Sequence, residues 1–417
     1  MFEADVRQIR QPVPTHIRLM GYRYVELRRT LRGLNCSGVP LVAFDGLRYR
    51  RAGSEDDPGL FFFVPEMART FGLSLETAVD LTLIGAVLLA FLCGLMGWIR
   101  ITPAPLGRRL CLAGLVLLTI VILIAGDVYV MSAVPALACV PWTLYFSSRE
   151  KLTLGAVVTY AGAGALSQVA GFFRGYAGTG LILFSLMIAF GVYRMKPRAR
   201  AVLLLALLLA GVGTELFFDH LFVERSRFLG AEQDAIFGST QVHVFWHSVY
   251  IGLGYVKNSD VPAYQDEVAF AKVRSLKPGV APLSREYEQV LKSAVIDLAK
   301  RRPFLIVENV VVKTAVILLF CVAAANIGLY ASKLAPKPLW LALGFWLAIA
   351  FNGLFGILVI PNPKYLLGLI AFAALYGMYS VEYAAERADI ARRLGWMRRL
   401  LLLTPEPAGR RANLSQQ

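Results

Sequence analysis

Charge is sparse in this chain, and cysteine and histidine are rarer still. Only 17% of the 417 residues are charged while 57% are hydrophobic, a balance too apolar for a water-soluble fold of this length, so lipid is the implied solvent. Of the five cysteines, Cys93, Cys111, Cys139 and Cys321 fall inside apolar runs and Cys36 alone lies in polar sequence. That distribution gives no spacing for a disulfide framework or a cysteine zinc site. There is no Walker A loop, no GxSxG elbow and no dinucleotide-binding glycine pattern, so nothing points to ATP hydrolysis or a soluble cofactor. The amino end shows no charged leader followed by an apolar core, and membrane insertion is expected to rest on the spans themselves.

What the chain does contain is apolar runs long enough to cross about 30 Å of hydrocarbon. They fall at 77–99, 109–126, 128–147, 152–172, 179–194, 200–217, 304–328, 338–360 and 365–382. The third, with Pro135 and Pro141, is expected to kink or to be partly re-entrant. The fold class read from this pattern is all-α, a polytopic transmembrane helix bundle with amphipathic helices on the outer side. The segments are 1–76, amphipathic and acidic; 77–217, six spans; 218–303, polar; 304–382, three spans; and 383–417, a basic tail.

Net charge is +15, but the basic residues gather in short loops and in the tail, as membrane topology requires, so nucleic acid is not an expected partner. Arg100, Arg108, Arg109, Arg149, Lys151, Arg194, Lys196, Arg198, Arg200, Lys333 and Lys337 share one face with the tail, which makes that face cytoplasmic. The opposite face receives 1–76, the loop at Arg174 and the segment 218–303. One feature breaks the rule: residues 1–76 hold eleven arginines, among them Arg23, Arg28, Arg29 and Arg51. An exporting helix upstream of Met1 is the expected explanation, an unusual fold of this region against the membrane the alternative.

Ile17, Met20, Tyr24, Leu27 and Leu31 recur at helical spacing among arginines, which predicts a helix along the headgroups. Asp45-Gly46 between two short apolar runs predicts a hairpin with Asp45 as a turn residue. In the polar segment, Tyr287, Leu291, Ala294 and Leu298 predict an amphipathic helix capped by Ser284 and lying on the membrane before Pro303 opens the next span. The aromatic, glycine-rich stretch 245–255 reads as a wall or lid at the interface. In the tail, Ile390, Leu394, Met397 and Leu401 beside arginines predict a basic helix suited to anionic lipid.

Four groups are candidates for chemistry. Asp56 and Asp57 precede Pro58-Gly59 and serve either as a carboxylate base at the membrane surface, as holders of a metal or a cationic group there, or as a turn. Arg174, flanked by glycine in GFFRGYAGTG, suits a phosphate at headgroup depth or else snorkels to the interface. Glu308, Asn309 and Lys313 are polar groups inside a span, where function is the default and a structural pairing with each other, Glu215 or Asp219 the alternative. His243 and His247, four apart, share one helix face; hydrogen bonding to a lipid phosphate or an acceptor, a structural role and a transition metal are the readings. No metal ligand set is assigned and no cofactor is certain; a divalent cation is a candidate.

An acidic pair on an outer first segment, the phrase DDPGLFFFVPEMARTFGLSLETAV entering a span, many short-looped helices and a late polar segment together resemble GT-C type membrane glycosyltransferases. The phrase HVFWHSVYIGLGYVKN is similar to one in uncharacterised bacterial membrane proteins of this general kind. The resemblance covers most of the chain in layout and departs where the family's helix before the acidic loop is missing and where Phe61, Phe62 and Phe63 replace a frequent tyrosine. It implies a GT-C-like bundle in the cell inner membrane, a polyprenyl-phosphate sugar donor, a glycan or lipid acceptor, and contact with membrane lipids. It implies catalysis by Asp56 or Asp57; Arg174, His243, His247, Glu308 and Lys313 are the substrate-binding candidates read from the residues themselves. Competing readings are a lipid-linked glycan polymerase or ligase, a lipid or polysaccharide transporter, and a non-catalytic assembly partner.

Overall fold

The protein is described by a computed structural model covering residues 21–53, 57–102, 105–191, 196–230, 245–335 and 337–387. The expected tail helix around Ile390 to Leu401 lies outside the described residues. Eight of the described helices are long and apolar enough to cross a membrane, and the only described sheet is a single hairpin. The chain is therefore an all-α, multi-pass membrane protein, with large apolar side chains exposed on the outside of the spans and an apolar core within.

The chain opens with α1 (Gly21–Ser37), then β1 (Val42–Phe44) and β2 (Tyr49–Arg51). These pair antiparallel with Val42 opposite Arg51 and Phe44 opposite Tyr49. The Asp45 carboxylate accepts from the Leu47 and Arg48 amides, so it holds the hairpin turn as expected. Those two amides hold its carboxyl below the usual range. Leu27 is buried while Tyr24 is partly so, and the Tyr24 hydroxyl donates to Glu76, which ties α1 to the first span.

α2 (Pro58–Phe71), which lies within the amphipathic segment 1–76, precedes α3 (Leu75–Ile101) and α4 (Pro105–Ala125). A short 3-10 turn, Val128–Ser132, runs into α5 (Val134–Ser147). This is the proline-bearing third run. Nearly every residue of it is buried, so the backbone disturbed by Pro141 is surrounded by protein, the condition under which such irregularity survives at membrane depth. α6 (Leu154–Phe173) and α7 (Thr179–Gly191) follow. The 13 residues of α7 extend only about 20 Å at 1.5 Å per residue, so the expected fifth span is too short to cross unaided.

The next element corrects the expected boundary at 217. α8 (Pro197–Leu229) is one helix of 33 residues, and the first twelve residues assigned to the polar segment belong to it. Its far end meets the hairpin, where Phe228 packs edge-on against Tyr49 with ring centres 5.1 Å apart.

The polar segment then folds around a core of its own. α9 (Phe245–Gly252) leads through a 3-10 turn, Leu253–Tyr255, to α10 (Asp266–Leu276) and α11 (Arg285–Arg301). Ser284 caps α11 by accepting from the Tyr287 amide at 3.2 Å, and Tyr287, Leu291, Ala294 and Leu298 are buried as the periodicity predicts. Their neighbours correct the expected membrane placement: this face packs with Val249, Ile251, Ala269 and Val273 from α9 and α10. The structural reason is that three short amphipathic helices can bury their apolar stripes on one another. α12 (Pro303–Ala325) opens at Pro303 as expected. Asn326, at φ 51°, then breaks the run and caps α13 (Ile327–Leu334) through its own side chain. α14 (Leu339–Leu358) and α15 (Leu367–Arg387) complete the bundle.

His247 joins the helices of this small core. Its Nδ1 lies 2.7 Å from the Tyr287 hydroxyl and its Nε2 3.1 Å from the Asp266 carboxylate. The hydrogen bond from His247 holds the Asp266 carboxyl below its usual range, against some opposition from burial. A carboxyl lowered in the folded state contributes stability above its unfolded value, near 3.9, and loses that contribution as pH falls through the folded value. The Asp266→Asn variant is therefore expected to show a flatter loss of melting temperature than the parent between roughly pH 5 and pH 3, read by thermal denaturation in detergent.

Candidate functional site

Asp57 stands at the N-cap position of α2 but makes no side-chain cap bond. Its carboxylate is 1% exposed and is spent on two guanidinium groups. Arg23 Nε donates to Oδ2 at 2.6 Å, and Arg174 Nη1 donates to Oδ1 at 2.6 Å. A second acid completes the cluster: Arg23 Nη1 donates to both oxygens of Asp127, at 2.8 and 2.9 Å. Two arginines thus balance two aspartates within one buried network. Such charges survive burial only when paired and hydrogen-bonded, and removing one partner of a buried pair typically costs about 3–5 kcal/mol.

Tyr129 forms the floor. Arg174 Nη2 donates to its hydroxyl at 3.0 Å, the Arg174 guanidinium carbon lies 4.5 Å from its ring centre, and that of Arg23 lies 5.9 Å away. Tyr365, just before α15, meets the same ring edge-on at 4.6 Å. Tyr264, carried by the polar segment, is drawn to the same place: burial and the neighbouring Tyr365 hydroxyl push its phenol up. The polar segment therefore meets, through Tyr264, the tyrosine that packs on Tyr129.

Local chain geometry explains how residues so distant in sequence meet. Helices α4, α6 and α14 end, and the 3-10 turn, α7 and α15 begin, at the same end of the bundle, because successive spans alternate in direction. Asp127 adopts φ 76° and ψ 173°, a strained conformation for a residue with a side chain, and its carboxylate also accepts from the Val128 amide at 2.8 Å. Gly59 allows α2 to approach the end of α6: a Cβ there would lie 2.8 Å from the Phe173 ring and 2.9 Å from the Phe173 backbone nitrogen. The contact is sealed by aromatics, with Phe63 stacked on Phe173 at 5.4 Å and Phe172 on Phe218 at 3.9 Å. Gly178, at φ 94°, turns the loop after Arg174 back against the Ser167 backbone.

Beside the network lies a cleft of about 380 Å³. Arg174, Gly175 and Tyr176 form its polar end, Phe245 and Ser248 come from α9, and Phe351, Leu354, Phe355 and Leu358 of α14 form an apolar wall. Tyr176 stacks on Phe355 at 4.3 Å, and burial pushes its phenol up to about 12. A cation at one end and a strip of aromatic and aliphatic side chains along the other side match the two halves of an anionic lipid.

The sequence-predicted residues divide accordingly. Asp57 and Arg174, 117 positions apart, are in direct contact. Asp56 and His243 lie outside the described residues. His247 is buried in the core of the polar segment, with Tyr287 and Asp266 as partners, and is not a lining residue of the cleft. Glu308 is exposed on α12 and, among the described residues, forms no ion pair with Lys313. Lys313 is buried and donates to the Ile357 carbonyl at 3.2 Å; it holds the last turn of α14, the turn that also supplies Leu358 to the cleft. Among the described residues no group of three or more histidine, cysteine or acidic side chains is placed to hold a metal ion.

Arg23, Asp127, Tyr129, Tyr264 and Tyr365 escaped the sequence reading. Two had signals. Arg23 is among the arginines that violate the charge rule, and Asp127 is the lone acid between the second and third apolar runs, where an ionisable group calls for a function. The tyrosines had none, since tyrosine is ordinary at membrane interfaces.

Comparison with protein-family profiles, with curated proteins and with solved structures finds no match. The site thus rests on its own geometry. Because the Phe173 backbone cannot yield to a methyl group, Gly59→Ala is expected to cost about 1–3 kcal/mol of stability, read as a lowered melting temperature in detergent, whereas Gly85→Ala on α3, where a Cβ meets nothing, should leave melting unchanged or raised.

Proposed function

We propose that this protein is a membrane glycosyltransferase of GT-C-like architecture, which moves a sugar from a polyprenyl-phosphate carrier to an acceptor hydroxyl on the outer side of the cell inner membrane. The observation that carries this reading is the contact of Asp57 with Arg174 at the polar end of a cleft whose other wall is apolar. In that arrangement the carrier's phosphate lies at Arg174 and the start of its prenyl chain along Phe351, Leu354 and Phe355. The guanidinium holds the phosphate as negative charge grows on the leaving oxygen, an electrostatic effect worth most in a site that excludes water. The acceptor oxygen attacks the anomeric carbon, the bond from that carbon to the phosphate oxygen breaks with its electron pair going to the carrier, and Asp57 takes the acceptor's proton. Phe245 and Ser248 of the polar segment line the same cleft, which suits that segment to selecting the acceptor.

A lipid-linked glycan polymerase or ligase is the second reading. It is favoured by one observation, the presence of two buried arginines in the network, because such an enzyme works through arginines and needs no carboxylate base.

The test is transfer from polyprenyl-phosphate-linked hexoses, supplied as a labelled panel to proteoliposomes holding the purified protein together with bacterial envelope glycans as acceptors. Asp57→Asn and Arg174→Gln are each expected to lower transfer by at least about a hundredfold, the usual contribution of a positioned acid, base or charge-stabilising group. Transfer retained in Asp57→Asn but lost in Arg174→Gln would select the polymerase or ligase reading. Transfer untouched by both would remove the catalytic assignment.

A further inference from the structure

The resting network leaves Asp57 unable to do what a base must do. Oδ1 is bonded to Arg174 and Oδ2 to Arg23, and the side chain is 1% exposed, so the acceptor's proton has no oxygen to approach. Arg174 is equally committed. Nη1 is bonded to Asp57 and Nη2 to Tyr129 and the side chain is only 7% exposed, so an entering phosphate competes with Asp57 for the same guanidinium. The two arginines differ in how firmly they are held. Arg23 is anchored from behind by both oxygens of Asp127 and is not among the residues lining the cleft. Arg174 lines the cleft, so it is the cation an entering anion meets.

We infer that a phosphate monoester or diester entering the cleft displaces Asp57 from Arg174, so that binding of the anion is the event that uncovers Oδ1 of Asp57. The exchange rests on the reading of the cleft as a phosphate site. It keeps Arg174 charge-paired throughout, which avoids the cost of a buried lone cation, and it leaves Asp57 tethered through Oδ2 to an arginine that cannot follow the anion. The carboxylate is then held in place with one oxygen exposed to whatever lies above the phosphate. A further consequence is order: the phosphate-bearing partner binds first, and a hydroxyl-bearing partner finds an acceptor oxygen only afterwards.

The experiment measures binding rather than transfer. Undecaprenyl phosphate is titrated into the full-length protein in nanodiscs, with inorganic phosphate as a second ligand, for the parent, Asp57→Asn, Asp127→Asn and Arg174→Gln. Removing the competing carboxylate should tighten lipid-phosphate binding by about tenfold in Asp57→Asn, while Arg174→Gln weakens it by at least as much. Asp127→Asn removes the same unit of charge from the same network, but the bonds of Asp127 go to Arg23 and the Val128 amide, so its affinity should stay within about threefold of the parent. An equal gain in both aspartate variants would reduce the effect to general electrostatics and overturn the exchange, as would an unchanged or weakened affinity in Asp57→Asn. A gain seen with inorganic phosphate as well supports displacement by the headgroup alone; a gain confined to the lipid supports displacement by a chain-anchored phosphate. The parent protein supplies a readout independent of variant folding: isotope-edited infrared spectra should show one aspartate carboxylate band shifting on ligand addition, and an unshifted spectrum at saturation overturns the proposal. Binding with the expected pattern but no sugar transfer from any donor would leave the exchange standing and remove the transferase reading. Absence of binding in every protein overturns both.

Discussion

Burial of charge in a low-dielectric bundle is the constraint from which the rest of this structure follows. Asp57 and Asp127 are almost fully withdrawn from solvent, and a carboxylate in that position is tolerable only if cations are delivered to it with good geometry. Arg23 and Arg174 meet that need from separate elements, one from α1 and the other from the loop that follows α6. The amino-terminal helix is consequently part of the membrane domain's electrostatics and not an appendage to it. The Tyr24 bond to Glu76, the Gly59 approach to Phe173 and the phenylalanine stack between α2, α6 and α8 all hold those two deliveries in register.

The same constraint orders the cleft. An ion network that is internally balanced presents little net charge to a passing lipid, yet it contains a cation whose partner can be exchanged. Apolar residues of α14 supply attraction for a hydrocarbon chain, and Lys313, by bonding the Ile357 carbonyl near the helix end, fixes the turn that presents them. Lys313, an ionisable group inside a span, thereby meets the wall of the cleft at its last turn.

Much of the fold was legible in the sequence because its signals are local. Span length, the cap at Ser284, the start of α12 at Pro303, the hairpin at Asp45-Gly46 and the buried face of α11 each depend on a few neighbouring residues. What was missed depends on distant partners. The periodicity of α11 shows that one face is apolar but not what covers it, so a small core was read as a membrane surface. Continuation of α8 past residue 217 was hidden because hydropathy reports lipid contact, and a helix does not end where lipid does. The site was half legible. Asp57 and Arg174 stood out as charges at span boundaries, but their contact across 117 positions, and the insertion of Arg23 between Asp57 and Asp127, follow from topology alone. The arginines that appeared to break the charge rule illustrate the difficulty: Arg23 is neutralised within the bundle, so counting it as a loop charge misassigns it.

The length of α8 has an architectural consequence. At 1.5 Å per residue its 33 residues reach roughly 50 Å, well beyond a hydrocarbon layer of about 30 Å. The helix thus has length to spare beyond that layer, and the contact of Phe228 with Tyr49 fastens the hairpin to its end. Because a continuous helix resists bending, the distance of the hairpin from the far end of the bundle is set by the length of this one element.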